Sequence, residues 1–197
     1  MDLADYFRTE LDEHRDVIDR CAAALAAPFE RLVEACATAI NGGGKLLLFG
    51  NGGSAADAQH IAAELTIRYR DNRRAIAALA LTTDSSALTA CGNDLGFEQI
   101  FARQVEAIGK AGDVAIAIST SGTSPNILLG LRQAKAMRLV TAALSGRGGG
   151  DLAPLIDHLV VVPSATTARI QEAHILLGHL LCGALEVKLG LVGARDP

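Results

Sequence analysis

The chain contains no tryptophan, and aromatic residues make up only 4% of its 197 residues. Basic residues are not in excess either, because 18 lysines and arginines stand against 22 acidic residues, a formal net charge of -4. Such a surface offers no general attraction to the phosphates of DNA or RNA. Apolar runs stay shorter than the ~18 residues of a membrane-spanning helix, and the acidic start of the chain is unlike a secretion signal. We expect a cytoplasmic protein that binds neither nucleic acid nor membrane.

Cysteine is also sparse. The four cysteines, Cys21, Cys36, Cys91 and Cys182, are widely spaced and form no C-x-x-C pair. Neither a zinc ribbon nor a dithiol redox motif is therefore indicated. Since their neighbours are mostly apolar, the sequence predicts reduced thiols in the core.

Apolar residues, in contrast, make up 50% of the chain, which is enough for one core, and the length favours a single domain over residues 1–197. Short apolar runs alternate with helix-like segments between residues 45 and 163, the pattern of a parallel sheet with helices on both faces. We predict an α/β fold, a doubly wound three-layer αβα sandwich whose ligands bind at the carboxyl ends of the strands. The strands of the predicted five-stranded parallel sheet are 46–49, 75–81, 114–118, 139–144 and 159–162.

Helices are predicted on either side of this α/β core. Residues 1–40 carry apolar side chains at helical spacing, and Pro28 is expected to separate two helices. Residues 165–191 read as one long helix that is apolar around most of its circumference. Such a helix needs burial on several sides, more than a domain of this size provides. We expect the N- and C-terminal helices of neighbouring subunits to form a bundle in a homo-oligomer.

The first candidate site is the glycine-rich turn Gly50-Asn51-Gly52-Gly53-Ser54, which follows an apolar run and opens a helix. Glycine permits positive φ and close backbone approach, so successive N–H groups can converge on a phosphate there. The turn lacks the Gly-Lys-Ser/Thr end of a Walker loop and matches the dinucleotide fingerprint only weakly. It favours binding of a phosphorylated small molecule.

The helix that follows carries His60 and Glu64 at i, i+4, on one face, with Asp57 one turn earlier. The pair can act on one substrate atom or bind one metal ion. The alternative is an exposed polar stripe with a weak intrahelical pair, but the position just beyond a phosphate-type turn favours a functional role.

A second turn of the same kind is Ser119-Thr120-Ser121-Gly122-Thr123-Ser124, where a predicted strand ends. Its hydroxyl and N–H groups can bind a phosphate dianion without a lysine. The alternative is a serine-rich helix cap, with Ser124 as N-cap and Pro125 in the first turn. Two such turns at one edge of a sheet favour the phosphate site.

Polar groups also interrupt the apolar C-terminal helix, at Gln171, His174 and His179. For His174 a hydrogen-bonded core histidine is as good an explanation as a functional one. His179 lies among leucines and needs a buried partner. Two further segments, Thr83-Asp84 and 91–94, can orient sugar hydroxyls or serve as caps and turns.

Taken together, these residues resemble the sugar isomerase (SIS) domain family, and within it the phosphoheptose isomerase branch, over essentially the whole chain. The most specific pieces of the resemblance are the turn 50–54, Asp57 with His60 and Glu64, Gly92-Asn93-Asp94, the hydroxyl run 119–124, and 169–172 with His179.

The resemblance implies an aldose–ketose isomerase that converts sedoheptulose 7-phosphate to D-glycero-D-manno-heptose 7-phosphate for cell-surface glycans, in a homotetramer with sites between subunits. Glu64 would then carry a proton between C1 and C2, and His179 would exchange protons at oxygen. Zinc, one ion per subunit, would bind His60, Glu64, Gln171 and His179 and compete with Glu64 for the base role. The phosphate would bind Ser119, Thr120, Ser121 and Ser124, and the rest of the substrate Asn51, Gly52, Gly53, Ser54, Glu64, Asn93, Asp94 and Gln171.

Two other functions share much of this pattern. A relative of the same family associates with a replication initiator as a binding module, and other members isomerise different phosphosugars. The phosphate turns do not discriminate among them. Glu64, Gly53 and His179 together favour the enzyme over the binding module.

Overall fold

Helices separate most of the strands from residue 46 onward, as predicted. The computed structural model describes residues 2–193, and within them lie seven α-helices and five strands. They are α1 (Leu3–Ala24), α2 (Ala26–Asn41), β1 (Leu46–Gly50), α3 (Gly53–Thr66), β2 (Ala78–Ala80), α4 (Ser85–Asp94), α5 (Ile100–Ile108), β3 (Val114–Ser119), α6 (Pro125–Ala136), β4 (Val140–Ser145), β5 (His158–Val161) and α7 (Thr167–Lys188).

The five strands form one parallel sheet in the order β2-β1-β3-β4-β5. In the central pair, Leu46 of β1 is in register with Val114 of β3, and Gly50 with Ile118. The chain builds outward in opposite directions from this pair, so the strand order reverses between β1 and β3. In doubly wound sheets, ligands bind at the carboxyl ends of the strands at such a reversal.

Side chains of β1 alternate between two separate hydrophobic layers. Leu46 and Leu48 pack with α2, α3 and α7 on one face, whereas Leu47 and Phe49 pack with α5 and α6 on the other. Because both faces are covered, every residue of β1 and β3 is buried. The predicted three-layer sandwich is confirmed.

Three local predictions were wrong. The break between α1 and α2 falls at Leu25, and Pro28 lies in the first turn of α2, where its missing N–H is not needed. Strand β2 is limited to Ala78–Ala80, since the N–H of Ile76 bonds to the carbonyl of Leu65 instead of a strand. Residues 91–94 continue α4 to its last turn and do not form a turn of their own.

The N-terminal helix α1 lies against the start of α7 through a charged contact. Arg169 of α7 is buried and makes ion pairs with Glu10 (3.1 Å), Glu13 (3.5 Å) and Glu172 (2.7 Å). Glu172 also accepts a hydrogen bond from His14 (2.7 Å). Arg169 and Glu172 therefore fasten two helices together, which is a structural role.

Both terminal helices leave large apolar side chains exposed. On α1 only Val17 and Cys21 are buried. The exposed apolar residues of the two helices are Leu3, Tyr6, Phe7, Leu11, Leu176, Leu180 and Val187. Among the described residues, no helix combines the length and the hydropathy that crossing a bilayer requires.

The four cysteines are free, and three of them are buried, in line with the predicted core thiols. Burial raises the pKa of the Cys36 and Cys182 thiols to about 12, so both remain protonated and inert.

Candidate active site

The site begins with the close approach of two turns at the carboxyl ends of β1 and β3. A Cβ atom on Gly50 would lie 2.7 Å from the carbonyl oxygen of Ser54 and 2.8 Å from that of Ile118, so only glycine fits. Gly52 then has φ 54°, in the left-handed region, and α3 begins at the next residue.

The two turns are held together by a pair of amides. Asn51 donates to Asn126 (2.9 Å), and Asn126 donates back to Asn51 (2.8 Å). Asn126 is buried at the start of α6, and its side-chain oxygen also accepts the N–H of Ile127. This amide pair fixes the glycine turn against the hydroxyl run.

The hydroxyl run is shaped by its own side chains. Ser119 accepts a hydrogen bond from the N–H of Gly122 (3.1 Å), and Ser121 accepts one from the hydroxyl of Thr123 (3.1 Å). Gly122 has φ 68°, and a Cβ there would collide with the carbonyl oxygen of Gly149. The loop that follows β4, residues 146–150, therefore packs on the hydroxyl run, a contact that spacing in the sequence did not indicate.

A polar cavity of about 70 Å³ lies between the two turns. Ser124 stands at the N-cap position of α6, but its side chain makes no capping hydrogen bond, so its hydroxyl remains available to a ligand. The capping explanation for this serine is thus not supported. Of the predicted substrate residues, the cavity brings together Asn51, Ser54, Ser119, Thr120, Ser121, Ser124 and Gln171.

Gln171 reaches this cavity from the first turns of α7. A Cβ atom on Gly53 would lie 2.5 Å from the side-chain nitrogen of Gln171, so the missing side chain at position 53 makes room for the amide. Gly53 and Gln171 are therefore matched to each other across the packed helices α3 and α7.

Farther along the same two helices, three ionisable side chains converge. The Nε2 atoms of His60 and His179 lie 2.9 Å apart, and the carboxylate of Glu64 lies 3.5 Å from His60. One ligand atom of each residue lies within 4.8 Å of the others. The second oxygen of Glu64 is buried and has no protein partner among the described residues.

This cluster has the donors of a zinc site. Two imidazole nitrogens that face each other at 2.9 Å either share a proton or both bind one cation. Nitrogen and carboxylate oxygen atoms at about 2 Å from Zn²⁺ are common ligands, and a tetrahedron leaves a position for substrate or a further ligand. The three residues fit such an ion with small side-chain adjustments.

Aromatic and acidic neighbours surround the cluster. The ring of Tyr69 stacks on His179, with centroids 5.6 Å apart and an angle of 21° between planes. Asp57, one turn before His60, has a buried oxygen to which no residue between 2 and 193 gives a hydrogen bond. Burial raises the pKa of Asp57, and the nearby His60 opposes that shift.

The position of Tyr69 depends on a buried ion pair between Arg73 and Glu186 (2.9 Å). Glu186 also accepts the backbone N–H of Tyr69, while Arg73 donates to the carbonyls of Glu64 and Leu65 at the end of α3. These residues are far apart in the sequence, and neither showed a periodic signal by which it could be predicted.

Other predicted site residues lie elsewhere. Gln171 is eight residues before His179 on α7, about 12 Å along the helix axis, so within one chain it does not join the His60 cluster. Asn93 and Asp94 end α4, bond to each other and do not line the cavity. Asp84 caps α4 through the N–H of Ala87 (2.9 Å). His174 is a buried, hydrogen-bonded core residue, the structural one of the two explanations.

Known proteins share both this fold and much of this sequence. The model of the SIS domain matches residues 11–146. The phosphoheptose isomerase of Paramagnetospirillum magneticum is 57% identical over 186 residues, which cover 94% of this chain and 97% of that protein. A solved phosphoheptose isomerase from Neisseria gonorrhoeae matches with a TM-score of 0.89 at 42% identity, covering 94% of this chain and 100% of that chain. One from Francisella tularensis gives 0.92 at 35% identity, covering 95% and 100%.

Proposed function

Because the chain belongs to the SIS domain family and is a phosphosugar isomerase of the phosphoheptose isomerase type, we propose that its substrate is sedoheptulose 7-phosphate. The product is then D-glycero-D-manno-heptose 7-phosphate, the aldose from which nucleotide-activated heptoses for cell-surface glycans are made. The observation that carries the proposal is the combination of a neutral, hydroxyl-lined anion cavity with a carboxylate and two histidines on the same pair of helices.

The cavity binds the phosphate of the substrate. Hydroxyl groups of Ser119, Ser121 and Ser124 surround it, and the start of α6 adds the positive end of a helix dipole. Neutral donors of this kind bind a phosphate dianion without a lysine. The ionisable side chains of the site are then left to act on the sugar.

The isomerisation moves a carbonyl between C1 and C2. A base must therefore transfer a proton between the two carbons, and an acid must donate and remove protons at the two oxygens. Glu64 has a buried carboxylate oxygen without a partner among the described residues, and it carries the proton between the carbons. His179, fixed between Tyr69 and His60, exchanges the proton at oxygen. The intermediate is an enediolate, whose charge needs stabilisation.

Zinc is part of the proposal, with one ion held by His60, Glu64 and His179 of each subunit. When bound, it would supply Lewis-acid stabilisation of the substrate oxygens in place of proton exchange by His179, and the buried second oxygen of Glu64 would remain the base. Gln171 completes the ligand set only if a second subunit provides it, because within one chain it lies two turns away on α7. A homotetramer that buries the exposed apolar faces of α1 and α7 meets this requirement.

The test is conversion of sedoheptulose 7-phosphate by the purified protein, measured before and after treatment with a chelator and after zinc is restored. Ribulose 5-phosphate and fructose 6-phosphate serve as competing substrates of other chain lengths. Preferred turnover of the heptulose phosphate supports the proposal. No turnover of any phosphosugar, in a folded protein loaded with zinc, would favour the binding module instead.

A further inference from the structure

His174 is a buried ionisable group for which the reaction has no use. Its relative exposure is 0%, and it lies on α7 one turn beyond Gln171. Its Nε2 atom lies 3.1 Å from the carbonyl oxygen of Ser145, the last residue of β4. Since a carbonyl oxygen only accepts, Nε2 carries the proton and donates.

A second hydrogen bond connects Ser145 to the phosphate cavity. The hydroxyl of Ser145, also completely buried, donates to the carbonyl oxygen of Ser119 (2.9 Å), where β3 ends. The hydroxyl of Ser119 in turn accepts the N–H of Gly122 and so sets the curvature of the hydroxyl run. An unbroken series of contacts thus joins the buried side of α7 to the hydroxyl run, residues 119–124, which we call the phosphate loop.

The chemistry of His174 suits a fixed donor. Burial lowers its pKa to about 4, so the imidazole is neutral near pH 7 and keeps a single proton. The other ring nitrogen, Nδ1, is buried without a partner among the described residues. That nitrogen contributes no competing hydrogen bond, and a neutral side chain with one donor at the position of Nε2 could replace the ring.

We propose that His174 is a positioning residue that holds the phosphate loop in register with α7, through Ser145 and Ser119. Since α7 also carries His179, the same contacts keep the phosphate loop aligned with the groups that act on the sugar. The inference deepens the proposed function and rests on the same site, but it concerns anion binding and can be tested without turnover.

The experiment compares His174→Leu, which removes the donor, with His174→Gln, whose amide nitrogen can replace Nε2. Thr141→Val is the matched control, because Thr141 is a completely buried hydroxyl residue of the same strand, β4, at the end away from the site. The measured quantity is the dissociation constant of inorganic phosphate, by titration calorimetry on the full-length protein. Melting temperatures of all variants report on stability separately.

Loss of one hydrogen bond that shapes the loop should weaken phosphate binding by a factor of about 3 to 10 in His174→Leu. His174→Gln should bind within a factor of about 2 of wild type, and Thr141→Val should lose stability without losing phosphate affinity. If turnover of a phosphosugar is found, His174→Leu should raise KM by the same factor and change kcat little.

Normal phosphate binding by a folded His174→Leu protein would overturn the proposal, and so would equal losses in His174→Leu and His174→Gln. Should His174→Leu fail to fold, Ser145→Ala replaces it, since this change removes the donor to Ser119 and keeps the carbonyl that His174 uses. It should weaken phosphate binding by a similar factor, and wild-type affinity would contradict the proposal. A protein that binds phosphate in this pattern but isomerises no sugar would refute the proposed function and leave the role of His174 standing.

Discussion

Glu64 is the residue on which the proposed chemistry depends most. One of its carboxylate oxygens approaches His60, and the other is buried without a partner in the described part of the chain. That oxygen is therefore available to a substrate proton or a cation. Buried polar atoms without partners are uncommon in folded proteins and often mark functional sites.

Glu64→Gln should lower kcat by roughly 100-fold or more, because the amide keeps the size of the side chain and loses the base. The melting temperature should change little, since the contact of Glu64 with His60 is partly exposed. Glu106→Gln is the control, an exposed carboxylate on α5 paired with Arg103, and should keep wild-type turnover. Near-normal kcat in a correctly assembled Glu64→Gln protein would remove this residue from the mechanism.

His174 also gives the protein a specific dependence of stability on pH. Its pKa is about 4 in the folded protein, where burial disfavours the charged ring, against an ordinary value of 6.5. Between these two pH values the unfolded chain binds the proton and the native protein does not. The free energy of unfolding is therefore unaffected by this group above pH 6.5 and decreases as the pH falls toward 4, by up to about 3 kcal/mol.

His174→Gln should remove this contribution, so its free energy of unfolding should fall less than that of wild type between pH 7 and pH 4. Urea denaturation at a series of pH values measures the difference. Thr141→Val, which changes no ionisable group, should keep the wild-type slope. Identical slopes for wild type and His174→Gln would show that the buried imidazole does not limit stability in acid.

At the scale of elements, the loop between β3 and α6 is the clearest functional unit. Its hydroxyl groups line the cavity, and its N-cap serine makes no capping bond through the side chain. A change at Ser124 should therefore affect ligand binding without affecting the stability of α6. This differs from most serines at an N-cap, whose hydroxyl stabilises the helix.

Ser121→Ala and Ser124→Ala should each weaken substrate binding by about 1–3 kcal/mol, the usual contribution of a hydrogen bond to a charged group. The unfolding midpoint of Ser124→Ala should stay close to that of wild type. Ser164→Ala is the control, because its hydroxyl accepts a turn N–H from Thr166 outside the cavity. If the dephosphorylated sugar competes as well as the phosphate ester, the loop is only the start of a helix.

Elements with strong local signals could be predicted from the sequence, and those set by distant partners could not. Strands β1 and β3 were predicted closely because they are continuous buried runs that end at glycine or serine. The edge strand β2 was overextended, since Ile76 is held by Leu65 of α3 and not by a strand.

The same division holds for the site. The glycine turn, the hydroxyl run and the His60–Glu64 pair are recognised by spacing of a few residues. The amide pair of Asn51 and Asn126 and the ion pair of Arg73 and Glu186 join positions 75 and 113 residues apart. The spacing of residues within one helix or strand contains no information about such contacts. They form only when folding brings several helices and strands together.

At the scale of the whole molecule, two features indicate an oligomer. They are the exposed apolar faces of α1 and α7 and the position of Gln171. Leu180 is 49% exposed and lies one residue from His179, so a neighbouring subunit that covers this face would also approach the His60 cluster. We expect light scattering to show a tetramer.

If the site is shared, two inactive variants should restore activity to each other. Glu64→Gln loses the base, and Gln171→Leu loses the amide that the neighbouring subunit would supply. When equal amounts are unfolded and refolded together, random pairing gives each site both wild-type residues in about a quarter of cases, so about a quarter of wild-type turnover should return. Each variant refolded alone is the control and should stay inactive. A site built within one chain would give no recovery in the mixed tetramer, because every chain carries one of the two changes, and Gln171 would then act only at the phosphate cavity of its own subunit.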